Sequence, residues 1–284
     1  MTTGNRIVVV TGATGLQGRA VVRRLLADGW RVRALTRRPA GKPARQLAGL
    51  GAEVIGADMA DVATLRPAMR AVYGVYSVQN PMTSGIDGEI AQGKNVADAA
   101  KEAGVQHVVY GSTGVGVPTG VGWWDSKLVV QSHMQALGLP LTVLRPTAFM
   151  ELMTDRAFFP PVSTWSVMPR LMGADRPVPW LCVEDLGLIA ALAFANPNRF
   201  IGADLKLAAD VQSIAQCRAM WRDTTGRAPR RVPMPTWAFE RFVSGDLITM
   251  WRWLGTNEVG VDPAATYEIA PSASPVREWL TNRS

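Results

Sequence analysis

Three evenly spaced glycines, Gly12-Ala-Thr-Gly15-Leu-Gln-Gly18, could cradle a phosphate. Gly12 would let the chain turn sharply. Gly15 has no Cβ, so backbone could approach a pyrophosphate closely. Gly18 would let a following helix pack on the preceding strand. The turn follows an apolar run over 6–11 and opens a run over 16–28 with Val21/Leu25 and Val22/Leu26 at helical spacing. Free N–H groups and the positive end of that helix would then face the ligand. Thr14, Leu16 and Gln17 share the turn and are expected against pyrophosphate and ribose.

The next β-branched run ends in Thr36-Arg37-Arg38. A carboxylate there would bind an adenosine 2′-hydroxyl and repel a 2′-phosphate. Two guanidiniums suit a bidentate phosphate contact instead, so NADP(H) is expected over NAD(H), with Arg37 first and Arg38 second. Asp58 and Met59 follow the third run, where such folds place groups around adenine. Asp58 could accept from the adenine amino group or cap the next helix.

These residues need a scaffold, and the chain alternates accordingly. Strands are expected over 6–11, 30–36, 53–57, 72–79, 107–111 and 141–145. Helices are expected over 16–28, 61–69, 86–103 and 125–137. Six strands with helical connections mean an α/β fold, a doubly wound parallel (Rossmann) sheet. The expected division is a cofactor-binding domain at 4–150 and a smaller, mostly helical substrate lobe at 151–284. Within the lobe, 181–208 returns to the first domain through a helix over 183–194 and a strand over 204–208.

Composition narrows the classes. Of 284 residues, 48% are hydrophobic and 19% charged, so there is apolar surface to build a core. The net charge of +7 comes from arginine, since lysine occurs only five times. It raises nucleic acid, anionic membrane or an anionic cofactor as partners. No helix-turn-helix pattern or basic helix stands out, so direct nucleic-acid binding is not expected. No apolar stretch of about 18 residues occurs and no signal peptide fits, so a cytoplasmic protein without membrane contact is expected. Cys182 and Cys217 read as reduced, buried thiols, and two cysteines with two histidines supply no metal site. His107 and His133 read as structural.

Together, TGATGLQG, VRALTRRP, the QNP after strand four, the GST after strand five, DSK, and GLPLTVLRPTAFMEL resemble the NmrA-like family of atypical short-chain reductases. The later VEDLGLIAALAFANPNRFIGADLKLAAD is similar as well. The likeness covers about 210 of the 284 residues. That family includes NADP-sensing regulators and reductases of quinones and cationic dyes. The resemblance implies Gln79, Asn80 and Pro81 near the nicotinamide and its ribose, and Lys127 bonded to that ribose. It implies Ser112 and Thr113 on the substrate side, and Pro146 and Phe149 on the far wall. Lys127 and Ser112 are the catalytic candidates.

Typical short-chain enzymes pair Tyr with Lys at i,i+4, so that the ammonium eases proton release from the phenol. Here Trp123 stands four residues before Lys127. An indole N–H donates a hydrogen bond but is no acid near neutral pH. Three explanations remain. The protein senses NADP(H) without turnover; or Tyr110, Tyr76, Lys127 or water supplies the proton; or the acceptor needs no proton during hydride transfer. The third requires the fewest assumptions. Trp123, Trp124, Phe158 and Trp165 are the aromatic candidates for a hydrophobic small-molecule substrate, at most half of the wider aromatic set lining a pocket. The expectation is an NADPH-dependent reductase of a quinone, enone, iminium or cationic dye. The alternative is a non-catalytic NADP(H)-sensing regulator. A homodimer stays open.

Overall fold

The computed structural model describes residues 6–154, 163–231, 234–242 and 244–283. Strands β1 (Ile7–Val10), β2 (Arg31–Thr36), β3 (Glu53–Gly56), β4 (Gly74–Ser77), β5 (His107–Gly111) and β6 (Leu141–Pro146) alternate with helices α1 (Leu16–Ala27), α2 (Lys42–Gly49), α3 (Val62–Ala68), α4 (Pro81–Glu102) and α5 (Gly122–Ala136). Their order in the sheet is β3-β2-β1-β4-β5-β6, every neighbouring pair parallel. This is the doubly wound Rossmann sheet that the alternation predicts. β1, β4 and β5 are buried along their whole length, as central strands covered on both faces must be. A later strand, β9 (Asp204–Leu207), joins beside β6.

A second sheet holds β7 (Ala148–Phe149), β8 (Pro177–Leu181) and β10 (Asp210–Ser213) in the order β10-β8-β7. The chain divides into two units. One takes the residues up to 118, then 123–145 and 186–205; the other takes 119–122, 146–185 and 206 onward.

In the first unit, Val9, Leu65, Met69, Val75, Val96, Val108, Tyr110 and Val130 belong to one apolar cluster. Two glycines set close approaches there. A Cβ on Gly93 of α4 would lie 2.5 Å from Val130 Cγ1 of α5. One on Gly187 would lie 2.8 Å from the Ala20 carbonyl of α1. α4 starts at Pro81, five residues before the expected position, and Gly85 breaks its regularity with φ +73°. Asn80 caps it by accepting from Met82 N at 3.0 Å.

Candidate active site

The phosphate-binding turn is tied to the sheet before it reaches α1. Thr11 Oγ1 donates to Val78 O at 3.1 Å and accepts from Val78 N at 2.8 Å. The chain beyond β1 is thereby locked to the chain beyond β4. Gly12 then takes φ +56°, which glycine adopts without strain. Gly15 N bonds back to Gly12 O at 2.9 Å. A Cβ on Gly18 would meet the Gly12 carbonyl carbon at 2.7 Å and Ala13 Cα at 2.8 Å, both backbone atoms. Only glycine fits there. Gly15 caps α1 with no side-chain hydrogen bond, and the first turn holds no acidic residue. The helix end therefore offers its N–H groups to an anion without a resident competitor. Thr14, Leu16 and Gln17 are half-buried in this turn. Tyr76, fully buried on β4, donates to Gln17 Oε1 at 3.3 Å.

Arg37 and Arg38 follow β2 and are exposed. Neither guanidinium makes an ion pair among the described residues, in contrast to Arg33 and Arg24. Arg33 is bound to Glu53 at 2.8 Å and to the carbonyls of Ala68 and Arg70. Arg24 is bound to Asp28 at 2.9 Å. Asp58 Oδ1 accepts from Ala60 N at 3.0 Å, a local turn bond, so its side chain organises the chain after β3. Met59 is half-buried beside it, and its carbonyl accepts from Asn95 Nδ2 at 3.0 Å.

Gln79 follows β4 and is 4% exposed. Its Nε2 donates to Ser77 Oγ at 3.0 Å and points at Met59 Sδ, 3.7 Å away. A thioether sulfur only accepts, which fixes which end of the amide is nitrogen. The other end, Oε1, is buried without a hydrogen-bond partner. Such an orphan is costly and calls for a donor. Asn80 is committed to capping α4, with Pro81 in its first turn.

Lys127 comes from α5 and is buried. Its ammonium forms an ion pair with Glu89 Oε1 of α4 and lies 3.4 Å from the Gln79 carbonyl. Glu89 is wholly buried, and its other oxygen accepts from Ser126 Oγ. Residue type and spacing alone do not single out Glu89 as part of the site. The signal lies in its neighbours: Glu89, Gly93, Val96, Ala97 and Ala100 share one helical stripe, and the others are small or apolar. A lone carboxylate in such a stripe needs a buried cation.

Trp123 is half-buried, and Trp124 is buried against Gly114, whose added Cβ would lie 2.9 Å from the indole Cγ. Gly114 has φ +74°. The two buried tyrosines do not replace the missing acid. Tyr110 Oη reaches the Lys127 carbonyl at 3.5 Å, and burial together with the Glu89 charge pushes its phenol well above the ordinary value. Burial pushes Tyr76 up as well. Both are weaker acids than a free tyrosine.

Ser112 and Thr113 follow β5. Arg145, 1% exposed on β6, donates to Ser112 Oγ at 3.2 Å and to the Thr113 carbonyl at 3.0 Å. The same guanidinium binds Asp204 at 2.6 and 2.9 Å and also Gln131. Ser112 is thus one acceptor in a satisfied network that staples β5, β6 and β9.

Pro146, Phe149 and Trp165 belong to the second unit. Phe149 lies on β7, and Trp165 is 2% exposed with its ring edge-on to Trp221 at 5.6 Å. Trp180 is fully buried and donates to the Gln212 carbonyl at 2.9 Å. Phe158 lies outside the described residues. Burial raises the Glu151 carboxyl to about 7, although it accepts from Val183 N at 3.3 Å. The Cys182 thiol is raised by burial and by Asp185, and the Cys217 thiol by burial to about 12, so both stay protonated. Among the described residues there is no group of three metal-ligating side chains and no helix long and apolar enough to cross a membrane.

A parallel sheet in this order, with a glycine turn capping its first helix, defines a Rossmann-type nucleotide-binding fold. The chain belongs to the NmrA-like family, which it matches over residues 4–280. It is similar to the NmrA-like family domain-containing oxidoreductase malD of Malbranchea aurantiaca, 30% identical over 84% of this chain and 78% of that one. A (4-alkanoyl-5-oxo-2,5-dihydrofuran-3-yl)methyl phosphate reductase of Streptomyces griseus is 35% identical over 67% of this chain and 64% of that one. Among solved structures, the negative transcriptional regulator NmrA in complex with NADP superposes with a TM-score of 0.78 at 20% identity, over 98% of this chain and 95% of that one. Triphenylmethane reductase of Citrobacter sp., complexed with NADP(H), gives 0.78 at 18% identity, over 97% and 99%.

Proposed function

We propose that this protein is an NADPH-dependent reductase of a hydrophobic acceptor that needs no enzyme acid during reduction. The observation that carries the cofactor assignment is the turn at Gly12, Gly15 and Gly18, which holds no side chain or carboxylate to compete with a phosphate. The guanidiniums of Arg37 and Arg38, exposed and without an ion pair among the described residues, suit a 2′-phosphate and favour NADP(H) over NAD(H). The buried, orphaned Gln79 Oε1 supplies an acceptor for a ribose hydroxyl or a carboxamide donor. NADPH, when bound, supplies the hydride.

The chain's own part is to bind and orient. Tyr76 holds Gln17 in the turn. Ser77 and Met59 hold the Gln79 amide so that its oxygen is the free end. Lys127 is held by its ion pair with Glu89. Trp123 stands in place of the usual tyrosine, and Tyr76 and Tyr110, made weaker acids by burial, are not suited to protonate an alkoxide. A quinone, enone, iminium or cationic dye fits this deficit. The first two can take their proton later from water, and the last two need none on the carbon that receives hydride. The names of the curated relatives support an oxidoreductase.

The same deficit supports a second reading, an NADP(H)-sensing regulator without turnover, and one structural neighbour is the negative transcriptional regulator NmrA in complex with NADP. One experiment separates the two. Purified protein is mixed with NADPH and a panel of quinones, enones and cationic dyes, and nicotinamide absorbance is followed. Oxidation of NADPH that depends on one acceptor class supports the reductase. Tight NADPH binding with no consumption across the panel establishes the sensor instead.

A further inference from the structure

We propose that Glu89 is a positioning residue that fixes the Lys127 ammonium and cancels its charge, so that Lys127 can adjoin an oxidised nicotinamide as readily as a reduced one. The proposal rests on the cofactor assignment made above.

Glu89 is fully buried and uses both oxygens, one for Lys127 Nζ and one for Ser126 Oγ. Lys127 is itself buried, and among the described residues its ammonium has the Gln79 carbonyl as its further partner. A buried carboxylate without a cation to pair it is costly, and the reverse holds for a buried ammonium. The pair joins α4 to α5 and, through Gln79, to the chain after β4. Gln79 also carries a buried side-chain oxygen, Oε1, that has no hydrogen-bond partner, so the pair adjoins an orphaned acceptor.

The charge balance matters because the nicotinamide ring is a cation when oxidised and neutral when reduced. An uncompensated ammonium would repel the oxidised ring and leave the reduced one nearly unaffected. An uncompensated carboxylate would attract the oxidised ring. The neutral pair does neither. Three variants read this directly. Glu89→Gln keeps the shape and leaves the Lys127 charge alone. Lys127→Met leaves the Glu89 charge alone. The double variant removes both.

The measurement is the dissociation constant for NADP+ and for NADPH by titration calorimetry at pH 7, with folding checked by circular dichroism. In Glu89→Gln the ratio of the NADP+ constant to the NADPH constant is expected to rise about tenfold, the scale of one well-screened unit charge a few ångströms away. In Lys127→Met it is expected to fall by a similar factor. In the double variant it is expected to return to within about twofold of wild type. Glu89→Asp, which keeps the charge, is expected to hold the wild-type ratio. A purely structural role would weaken both dinucleotides together and leave the ratio unmoved, and that result overturns the proposal. If Glu89→Gln does not fold, the opposite-sign shift in Lys127→Met and its cancellation in the double variant decide the matter. Wild-type protein that binds neither dinucleotide overturns the cofactor assignment itself. Binding with unchanged ratios overturns only the role of Glu89.

Discussion

The hydroxyl of Tyr76 donates to Oε1 of Gln17 at 3.3 Å, from the middle of the sheet to the first turn of α1. The bond sits against Gly111, where an added Cβ would lie 2.8 Å from the same hydroxyl. Three elements therefore agree on one position for the Gln17 amide. Tyr76→Phe removes the bond without a cavity. It is expected to cost about 1 kcal/mol of stability and to weaken NADPH binding severalfold, because Gln17 then samples other rotamers. Chemical denaturation and a binding titration check both numbers. Unchanged affinity would mean that Gln17 takes no part in holding the cofactor.

Arg37 and Arg38 make the cofactor assignment testable in one step. Arg37→Ala is expected to raise the NADPH dissociation constant at least tenfold and to leave NADH within about twofold, since only the 2′-phosphate distinguishes the two. Arg38→Ala is expected to act in the same direction but less. Equal losses for both dinucleotides would assign the arginines a general electrostatic role.

Gly18 has no alternative residue. Its missing Cβ faces backbone on every near side, the Gly12 carbonyl carbon at 2.7 Å and Ala13 Cα at 2.8 Å. Backbone cannot yield as a flexible side chain can. Gly18→Ala is therefore expected to displace α1 from the turn, costing roughly 2–3 kcal/mol by the usual scale of overpacking. A thermal unfolding scan measures the loss, and NADPH binding should fall with it. Gly49→Ala, where a Cβ meets nothing within 4 Å, is the control.

The strand and helix alternation was legible because buried parallel strands are runs of β-branched residues and their helices repeat every three to four. The second sheet was not. β8 contains Pro177 and Pro179, which argue against a strand, and β7 is only two residues long. The start of α4 was missed because Gly85 looks like a break, although Asn80-Pro81 is a cap followed by a first-turn proline. Eight arginines lie over 19–45, close in sequence to the phosphate-binding turn, but they do not all face it. The structure spends Arg33 on Glu53 and on the Ala68 and Arg70 carbonyls at the C-terminal end of α3, and Arg24 on Asp28. For the site, glycine spacing was enough to find the turn, since its backbone geometry is written in the absence of side chains. The partner of Lys127 was not found, because Glu89 lies 38 positions away and only packing of α4 on α5 joins them.

His107 gives the fold a pH dependence with a definite sign. It is buried on β5, bonded through Nε2 to Thr142 Oγ1 at 2.8 Å, with its ring against Phe194 at 5.3 Å. Burial lowers its pKa from 6.5 to about 4. The unfolded chain therefore takes up a proton that the folded chain refuses between these values. Stability from neutral His107 is complete above pH 6.5 and is lost as pH falls toward 4, by roughly 3 kcal/mol at most. Urea midpoints at pH 7 and pH 5 should show the decline. His107→Gln, neutral throughout, should flatten it; an unchanged slope would assign the decline to other groups.

Restoring the tyrosine of the wider short-chain pattern tests whether one residue is all that separates this site from ordinary carbonyl reduction. Trp123→Tyr places a phenol one helical turn before Lys127, the spacing at which an ammonium eases proton release. Here that ammonium is already paired with Glu89, and the pair is buried. Its charge is compensated, so it would do little to lower the phenol's pKa. Trp123→Tyr alone is therefore expected to leave NADPH oxidation by aldehydes and ketones within about tenfold of background. Trp123→Tyr with Glu89→Gln is expected to gain activity over the single variant, since the lysine charge is then free to act on the phenol. The check is the initial rate of NADPH consumption against pH for both variants. A single variant already active, with a phenol titrating below its ordinary value, would show that Glu89 does not silence Lys127.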